Sequence, residues 1–279
     1  MTVNPILLAI LSVVVIGVIC AVMLSIASKV MAVKTDERMV QLRAALPGAN
    51  CGACGYPGCD GYAAALSDGS DERTNLCIPG GDTVSRDLSD ILGVGFADVV
   101  EMVAVVHCCG DNASTSEKMD YDGIKTCLAS KQFFGGKNAC SYGCIGYGDC
   151  EQACPNGAIS VFDGLARVDT TVCTGCGICA GVCPNKIISI EPDVIHQVIM
   201  CSNHDKGAVA RKRCTHACIA CKKCERGCPT GAITVVDNLA IIDYDKCILC
   251  GKCSLECPVG CISTADYKGI NTLSQQQAQ

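Results

Sequence analysis

Hydrophobic positions fall along this chain in three rhythms. From Pro5 to Ser28 they run almost unbroken (PILLAILSVVVIGVICAVMLSIAS), and the first charged side chain is Lys29. The run is longer than the roughly 20 residues that cross a bilayer as a helix. It is also too long for a signal peptide, and no charge precedes it. The pattern therefore predicts a retained transmembrane helix, with a buried soluble helix as the alternative. Cys20, inside it, reads as a small packing residue. In the second rhythm, Asp36 to Leu46 spaces Met39, Leu42 and Leu46 at helical intervals and stops at Pro47-Gly48, predicting a short amphipathic helix. Val99 to His107 (VVEMVAVVH) predicts a helix end running into a strand. From Cys140 onward the third rhythm sets in, short apolar strands between cysteine runs.

Charge orients the first element. Lys29, Lys34, Arg38 and Arg43 follow the apolar run and none precedes it, which puts the N-terminus outside and the rest in the cytoplasm. The net charge of −6 argues against nucleic acid as a partner. Composition then changes the picture of the fold. With 27 cysteines, 29 glycines, no tryptophan and 4% aromatic residues, the chain cannot build a conventional core throughout. Disulfides or metal must substitute. An odd cysteine count and cysteines crowded two residues apart favour thiolate ligands on metal, in a reducing compartment.

Two stretches match at an offset of 74 residues: CPNGAISVFDGLARVDTTVCTGCGICAGVCP from Cys154 and CPTGAITVVDNLAIIDYDKCILCGKCSLECP from Cys228. Each predicts a strand, a turn and a second strand, closed by Cys-x-x-Cys-x-x-Cys-x-x-x-Cys-Pro. Each resembles a bacterial two-cluster ferredoxin domain, in which three close thiolates hold one cluster and the last cysteine of the run ligates the other. That resemblance implies Cys218, Cys221, Cys224 and Cys257 for one cluster, and Cys247, Cys250, Cys253 and Cys228 for a second. In the first unit it implies Cys173, Cys176, Cys179 and Cys154. The remaining site departs from the pattern, because Tyr147 stands where Cys221 would repeat. Cys140, Cys144, Cys150 and Cys183 are expected there, with a three-iron cluster or an empty site as alternatives. Zinc also takes four cysteines, but a third cysteine at the next step followed by Cys-Pro is an iron–sulfur habit.

Two further sets remain. NCGACGYPGC offers Cys51, Cys54 and Cys59, with Cys77 downstream, for a cluster or a zinc ion. Cys108, Cys127, Cys201 and Cys214 flank the first unit and are candidates for a sixth cluster. Cys109 could replace Cys108, Cys140 and Cys214 could exchange roles, and unligated thiols are the alternative. Cys261 matches Ile187 across the repeat and reads as a small buried hydrophobe. His107, His196, His204 and His216 are scattered, which suits packing or surface roles. The basic run Lys206 to Arg213 (KGAVARKR) is a solvated face or a docking patch for an acidic carrier. No glycine-rich nucleotide fingerprint and no nucleophile–base or paired-carboxylate constellation is present.

The order of apolar anchor, four-cysteine segment and paired units resembles the family of B subunits of the Rnf complex. The resemblance rests on NCGACGYPGC, CSYGCIGYGDC and the Cys-Pro repeats. It implies an electron-transfer subunit of an ion-translocating ferredoxin:NAD oxidoreductase, carrying five or six 4Fe–4S clusters and converting no substrate itself. Ferredoxin and other membrane and flavin-bearing subunits would be its partners, and the cytoplasmic membrane its location. A polyferredoxin of another hydrogenase or dehydrogenase, and a zinc scaffold or redox sensor, are the competing readings. The expected fold is α+β. Residues 1–33 form the anchor, 34–95 the four-cysteine domain and 96–138 a connecting segment. The first unit spans 139–190, a connector 191–213, the second unit 214–268 and a polar tail 269–279.

Overall fold

A computed structural model of the chain describes residues 5–30, 36–194 and 196–265. The polar tail expected at 269–279 lies outside the described residues. Helix α1 runs from Pro5 to Val30, and its described apolar side chains, among them Val13, Ile16, Met23 and Leu24, are exposed. Side chains at 1–10, 12 and 29–35 lie outside the description. Among the described residues no helix is long and apolar enough to cross a membrane.

The amphipathic helix forms where its spacing predicts, as α2 (Glu37–Ala45). The Asp36 carboxylate caps it by accepting from Arg38 N at 3.0 Å. Leu42 and Leu46 are buried, in a core shared with α3 (Cys59–Asp68) and α4 (Gly81–Leu92) that centres on Tyr62, Leu66 and Leu88. Two 3₁₀ turns, Thr74–Leu76 and Ile78–Gly80, carry the chain between α3 and α4. This region therefore owns an ordinary hydrophobic core.

Strand β1 (Met102–Val106) confirms half of the expectation for Val99 to His107. No helix precedes it, because residues 94–101 are irregular. After β1 come α5 (Cys127–Lys131), α6 (Asp149–Ala153), β2 (Ile159–Phe162), β3 (Leu165–Val168), α7 (Ile178–Val182) and β4 (Ile188–Pro192). Then follow β5 (His196–Ile199), α8 (Gly207–Arg213), α9 (Lys223–Gly227), β6 (Ile233–Val236), β7 (Leu239–Ile242), α10 (Lys252–Glu256) and β8 (Ile262–Ala265). The elements α6, β2, β3, α7 and β4 recur 74 residues later as α9, β6, β7, α10 and β8.

Among the described residues each sheet is a pair of antiparallel strands. The hairpins β2–β3 and β6–β7 share one register, Ile159 opposite Val168 and Ile233 opposite Ile242. Their two-residue turns, Asp163-Gly164 and Asp237-Asn238, have positive φ at both positions, as the right-handed strand twist requires. The last strand of each unit pairs with a strand lying ahead of that unit: Val106 opposite Ile188 for β1–β4, and Ile199 opposite Ile262 for β5–β8. Residues expected to be connectors thus supply sheet partners. Val103 and Val105 of β1 also pack with Val198, Met200 and Ala265, so one small apolar core spans both units.

Candidate metal centres

Four pockets of similar size, each about 310 to 350 Å³ counting space open to solvent, lie in the two units, and cysteines line each one. The first holds Cys154, Cys173, Cys176 and Cys179. Its sulfurs receive backbone N–H groups, Ala158 N on Cys154 Sγ at 3.3 Å and Ala104 N on Cys173 Sγ at 3.4 Å. The second holds Cys228, Cys247, Cys250 and Cys253. The third holds Cys218, Cys221, Cys224 and Cys257, with Cys261 beside them. These three groupings are the sets anticipated from the ferredoxin-like runs.

The fourth cavity brings together Cys127, Cys144, Cys150 and Cys183. Cys127 takes the place expected for Cys140. It opens α5, where the Asp149 carboxylate accepts from Cys127 N at 2.8 Å and Leu128 N at 3.0 Å. Thr126 Oγ1 completes the cap by accepting from Ala129 N. The detour of chain before Cys140 thus delivers a thiol to the side of the cavity that Tyr147 leaves without one. Tyr147 itself lies tilted against Tyr121, with the Lys137 ammonium over its ring.

Cys140 lies instead with Cys108, Cys201 and Cys214. A side chain at Gly143 would sit 3.3 Å from Cys108 Sγ and 3.5 Å from Cys140 Sγ, and one at Gly110 would sit 3.1 Å from Cys214 Sγ and 3.8 Å from Cys108 Sγ. The two glycines clear the space into which these thiols point. Asn203, buried, donates from Nδ2 to Cys140 Sγ and from its backbone to Cys201 Sγ, both at 3.4 Å. Cys109 is turned away, its thiol 3.1 Å from the Met200 carbonyl. The two sets therefore trade one member relative to expectation. The repeat carried the signal: Cys140 falls opposite Cys214, which lies outside the run of its own unit.

Cys51, Cys54, Cys59 and Cys77 face one another at the edge of the N-terminal core. Asn50 Oδ1 accepts from Cys59 N at 2.9 Å and fixes the loop against the start of α3. Gly52 and Gly55 take positive φ to wind it.

Electrostatics say what these sets need. Burial, reinforced by neighbouring sulfurs, pushes the bare thiols of Cys77, Cys144, Cys179 and Cys224 up to about 11 and Cys150 to about 12. Ligand thiolates must be deprotonated, so a positively charged centre has to compensate each group. Cys218 and Cys257 are exceptions, held down at about 6 and about 5 by the Cys261 thiol beside them. Among the described residues no three His, Cys, Asp or Glu close on one point as ligands of a single ion. Four thiols lining one cavity are the donor set that an iron–sulfur cluster takes. The histidines bind backbone: His107 Nδ1 lies 2.8 Å from Ile199 O, and His196, His204 and His216 likewise meet carbonyls.

Comparison with known proteins agrees with this chemistry. An Fe-S cluster family matches residues 46–79, and the 4Fe-4S dicluster domain family matches 142–187 and 217–261. The chain is 42% identical over 231 residues, 82% of its length and 69% of the relative's, to the B subunit of the Na(+)-translocating ferredoxin:NAD(+) oxidoreductase complex of Acetobacterium woodii. It is 39% identical to the B subunit of the ion-translocating oxidoreductase complex of Methanosarcina acetivorans, covering 82% of this chain and 87% of that one. With the B subunit of the proton-translocating ferredoxin:NAD(+) oxidoreductase complex of Clostridium ljungdahlii it shares 34% identity, over 86% of this chain and 85% of the relative.

Proposed function

The chain belongs to the family of B subunits of ion-translocating (Rnf-type) oxidoreductase complexes, and from that premise we propose how its thiols are wired and what they connect. It is an electron-transfer subunit carrying multiple 4Fe–4S clusters. The reading that follows is six clusters, held by Cys51, Cys54, Cys59 and Cys77; by Cys154, Cys173, Cys176 and Cys179; by Cys127, Cys144, Cys150 and Cys183; by Cys108, Cys140, Cys201 and Cys214; by Cys218, Cys221, Cys224 and Cys257; and by Cys228, Cys247, Cys250 and Cys253. One observation carries it: four of the sets each line a cavity of their own, and the Cys108 set adjoins one of these in each unit. Cys144 N donates to Cys108 Sγ at 3.4 Å, and Cys218 N donates to Cys201 Sγ at 3.3 Å. The Cys108 set thereby bridges the inner set of one unit to the inner set of the other. Bound there, the clusters supply one-electron redox chemistry. The chain contributes ligands, burial and N–H···S hydrogen bonds, and it converts no substrate of its own.

Reduced ferredoxin is the proposed carrier, and other membrane and flavin-bearing subunits are the far end of the path. Charge supports an acidic carrier. Residues 206–226 hold seven of the chain's 22 Lys and Arg and a single acid, Glu225, in a chain of net charge −6. Lys206, Arg211, Lys212, Lys222, Lys223 and Arg226 are exposed. The backbones of Gly207 and Ile219 touch, which brings α8 against the loop of Cys218 and Cys221. Docking there would set an incoming cluster beside the bridging and inner sets of the second unit and would act chiefly on the association rate. The α1 segment is the proposed membrane anchor. The uncharged apolar run from Pro5 to Ser28 supports this, and the basic residues after it favour cluster domains on the cytoplasmic side.

Iron, acid-labile sulfide and zinc, measured on the full chain purified anaerobically in detergent, test this. About 24 iron with matching sulfide is expected for six clusters. Abundant zinc with little iron, in a preparation shown not to have shed clusters, sinks the electron-transfer reading.

A further inference from the structure

The two units use the same backbone at positions 187 and 261 and different side chains. The Ile187 carbonyl accepts from His107 N and the Cys261 carbonyl from Met200 N, both at 2.7 Å. Both side chains are buried, at 2% and 1% exposure. Ile187 offers no hydrogen-bond donor to the cavity it lines. Cys261 offers one. Its Sγ lies 3.6 Å from Cys257 Sγ, and Cys218 lies in the same buried core. The same core holds the apolar side chains of Ile199, Ile233, Ala240 and Ile262 together with the thiols of Cys224, Cys201, Cys228 and Cys253. A thiol is a weak donor with a single hydrogen, and in this setting the ligand sulfur of Cys257 is its acceptor.

We infer that Cys261 is a positioning residue whose S–H donates to the ligand sulfur of Cys257 and raises the reduction potential of the cluster that Cys218, Cys221, Cys224 and Cys257 hold above that of its repeat counterpart. The inference rests on the ligand assignment proposed above. A donor to ligand sulfur stabilises the more negative, reduced state over the oxidised one, and hydrogen bonds to the sulfurs are among the factors that set cluster potentials. The thiol proton stays on Cys261 in both states, so one electron enters with no bond made or broken. Ile187 leaves the matching set, Cys127, Cys144, Cys150 and Cys183, without this donor. The repeat thus contains its own control, and electrons arriving at the bridging set settle preferentially on the side of the second unit.

Reciprocal exchange in the full chain tests this, read by iron content and by potentiometric titration followed by EPR. Cys261→Ile, copying the first unit, is expected to retain all iron and to lower one midpoint. The expected change is about tenfold in the reduced-to-oxidised ratio, 59 mV for a one-electron couple. Cys261→Ala guards against a packing defect and should give the same shift. Cys261→Ser keeps a donor and should restore most of the wild-type midpoint. Ile187→Cys should raise a different midpoint. Full iron with no midpoint shift in Cys261→Ile and Cys261→Ala overturns the inference and leaves the ligand assignment standing. Loss of about four iron in Cys261→Ala and Cys261→Ser overturns both, because Cys261 would then be a ligand.

Discussion

The two ferredoxin-like units share one backbone frame and obtain their ligands differently. In the second unit every thiol of the inner set comes from the unit itself, with Cys221 in the loop before α9 and Cys257 after α10. In the first, Tyr147 occupies the position of Cys221, and Cys127 arrives from α5, outside the repeat. The outer sets differ too. Gly175 runs so close to the Met102 backbone that no side chain fits between them, so β1 lids the run of Cys173, Cys176 and Cys179. Its counterpart Leu249 is exposed, as is Cys250 next to it. The frame follows from short-range spacing, whereas ligand supply and cover depend on what the chain ahead of each unit brings back. On the proposed ligand assignment, two copies of one motif would thereby become electrically distinct stations.

The sharpest way to break this comparison is to remove the imported thiol. Cys127→Ala and Cys140→Ala should each cost about four iron, but different four. The first should empty the inner set of the first unit, and the second should leave both inner sets reducible while stopping electron exchange between the units. Loss of the same EPR signal in both variants would show that the two thiols serve one site. Tyr147→Cys added to Cys127→Ala should recover iron by completing the repeat pattern locally.

Charge comes next in size. Reversing Lys222 and Lys223 to Glu is expected to slow reduction by an acidic carrier about tenfold at low ionic strength, with a flatter salt dependence in stopped-flow traces. An unchanged rate would move the entry point elsewhere, and the same reversal at exposed Lys125 serves as the control. Exposure sets a third, smaller contrast. Under limited air the cluster beside exposed Cys250 should bleach several-fold faster than the one beneath β1, followed by the loss of their separate EPR signals. Equal rates would deny that Met102 acts as a lid. The smallest effect is expected at the cap of α5. Asp149→Asn weakens the hold on Cys127 N and Leu128 N and should cost about 1 kcal/mol, seen as faster iron release from the first unit. Lys223, at the repeat position of Asp149, gives the second unit no such carboxylate cap to lose.

The sequence made the repeated units legible because cysteine, proline and glycine dictate local geometry over a few residues. It made α2 legible through Leu42 and Leu46, which are buried as their spacing requires. Helix α4 was less visible. Its buried face includes Ser85 and Ser89, whose hydroxyls bond Ala97 O and Thr74 Oγ1, so the apolar period is diluted by internally satisfied polar groups. The helix end expected ahead of β1 is absent, although the strand itself is read correctly. The exchange of Cys127 and Cys140 lay beyond short-range spacing, since the path from Asp111 to Asn138 is held by turns and isolated bridges. Only the coincidence of Cys140 with Cys214 across the repeat hinted at it. Cys261 looked like a simple hydrophobe because the sequence could compare it with Ile187 but could not place it against Cys257.

The bridging set also bears on how the protein is made. Its four thiols come from four separated stretches, at 108, 140, 201 and 214. It cannot close until the chain has emerged as far as the start of the second unit. A nascent chain can therefore load its N-terminal site early, while the joint between the units stays open. In a chain that misses this insertion the four thiols would have no centre to hold them together, and the seam between the units would open more readily to proteases. The same four sulfurs that join two halves of a conductor would then serve as a checkpoint, so that chains unable to conduct are also the ones most readily cleared.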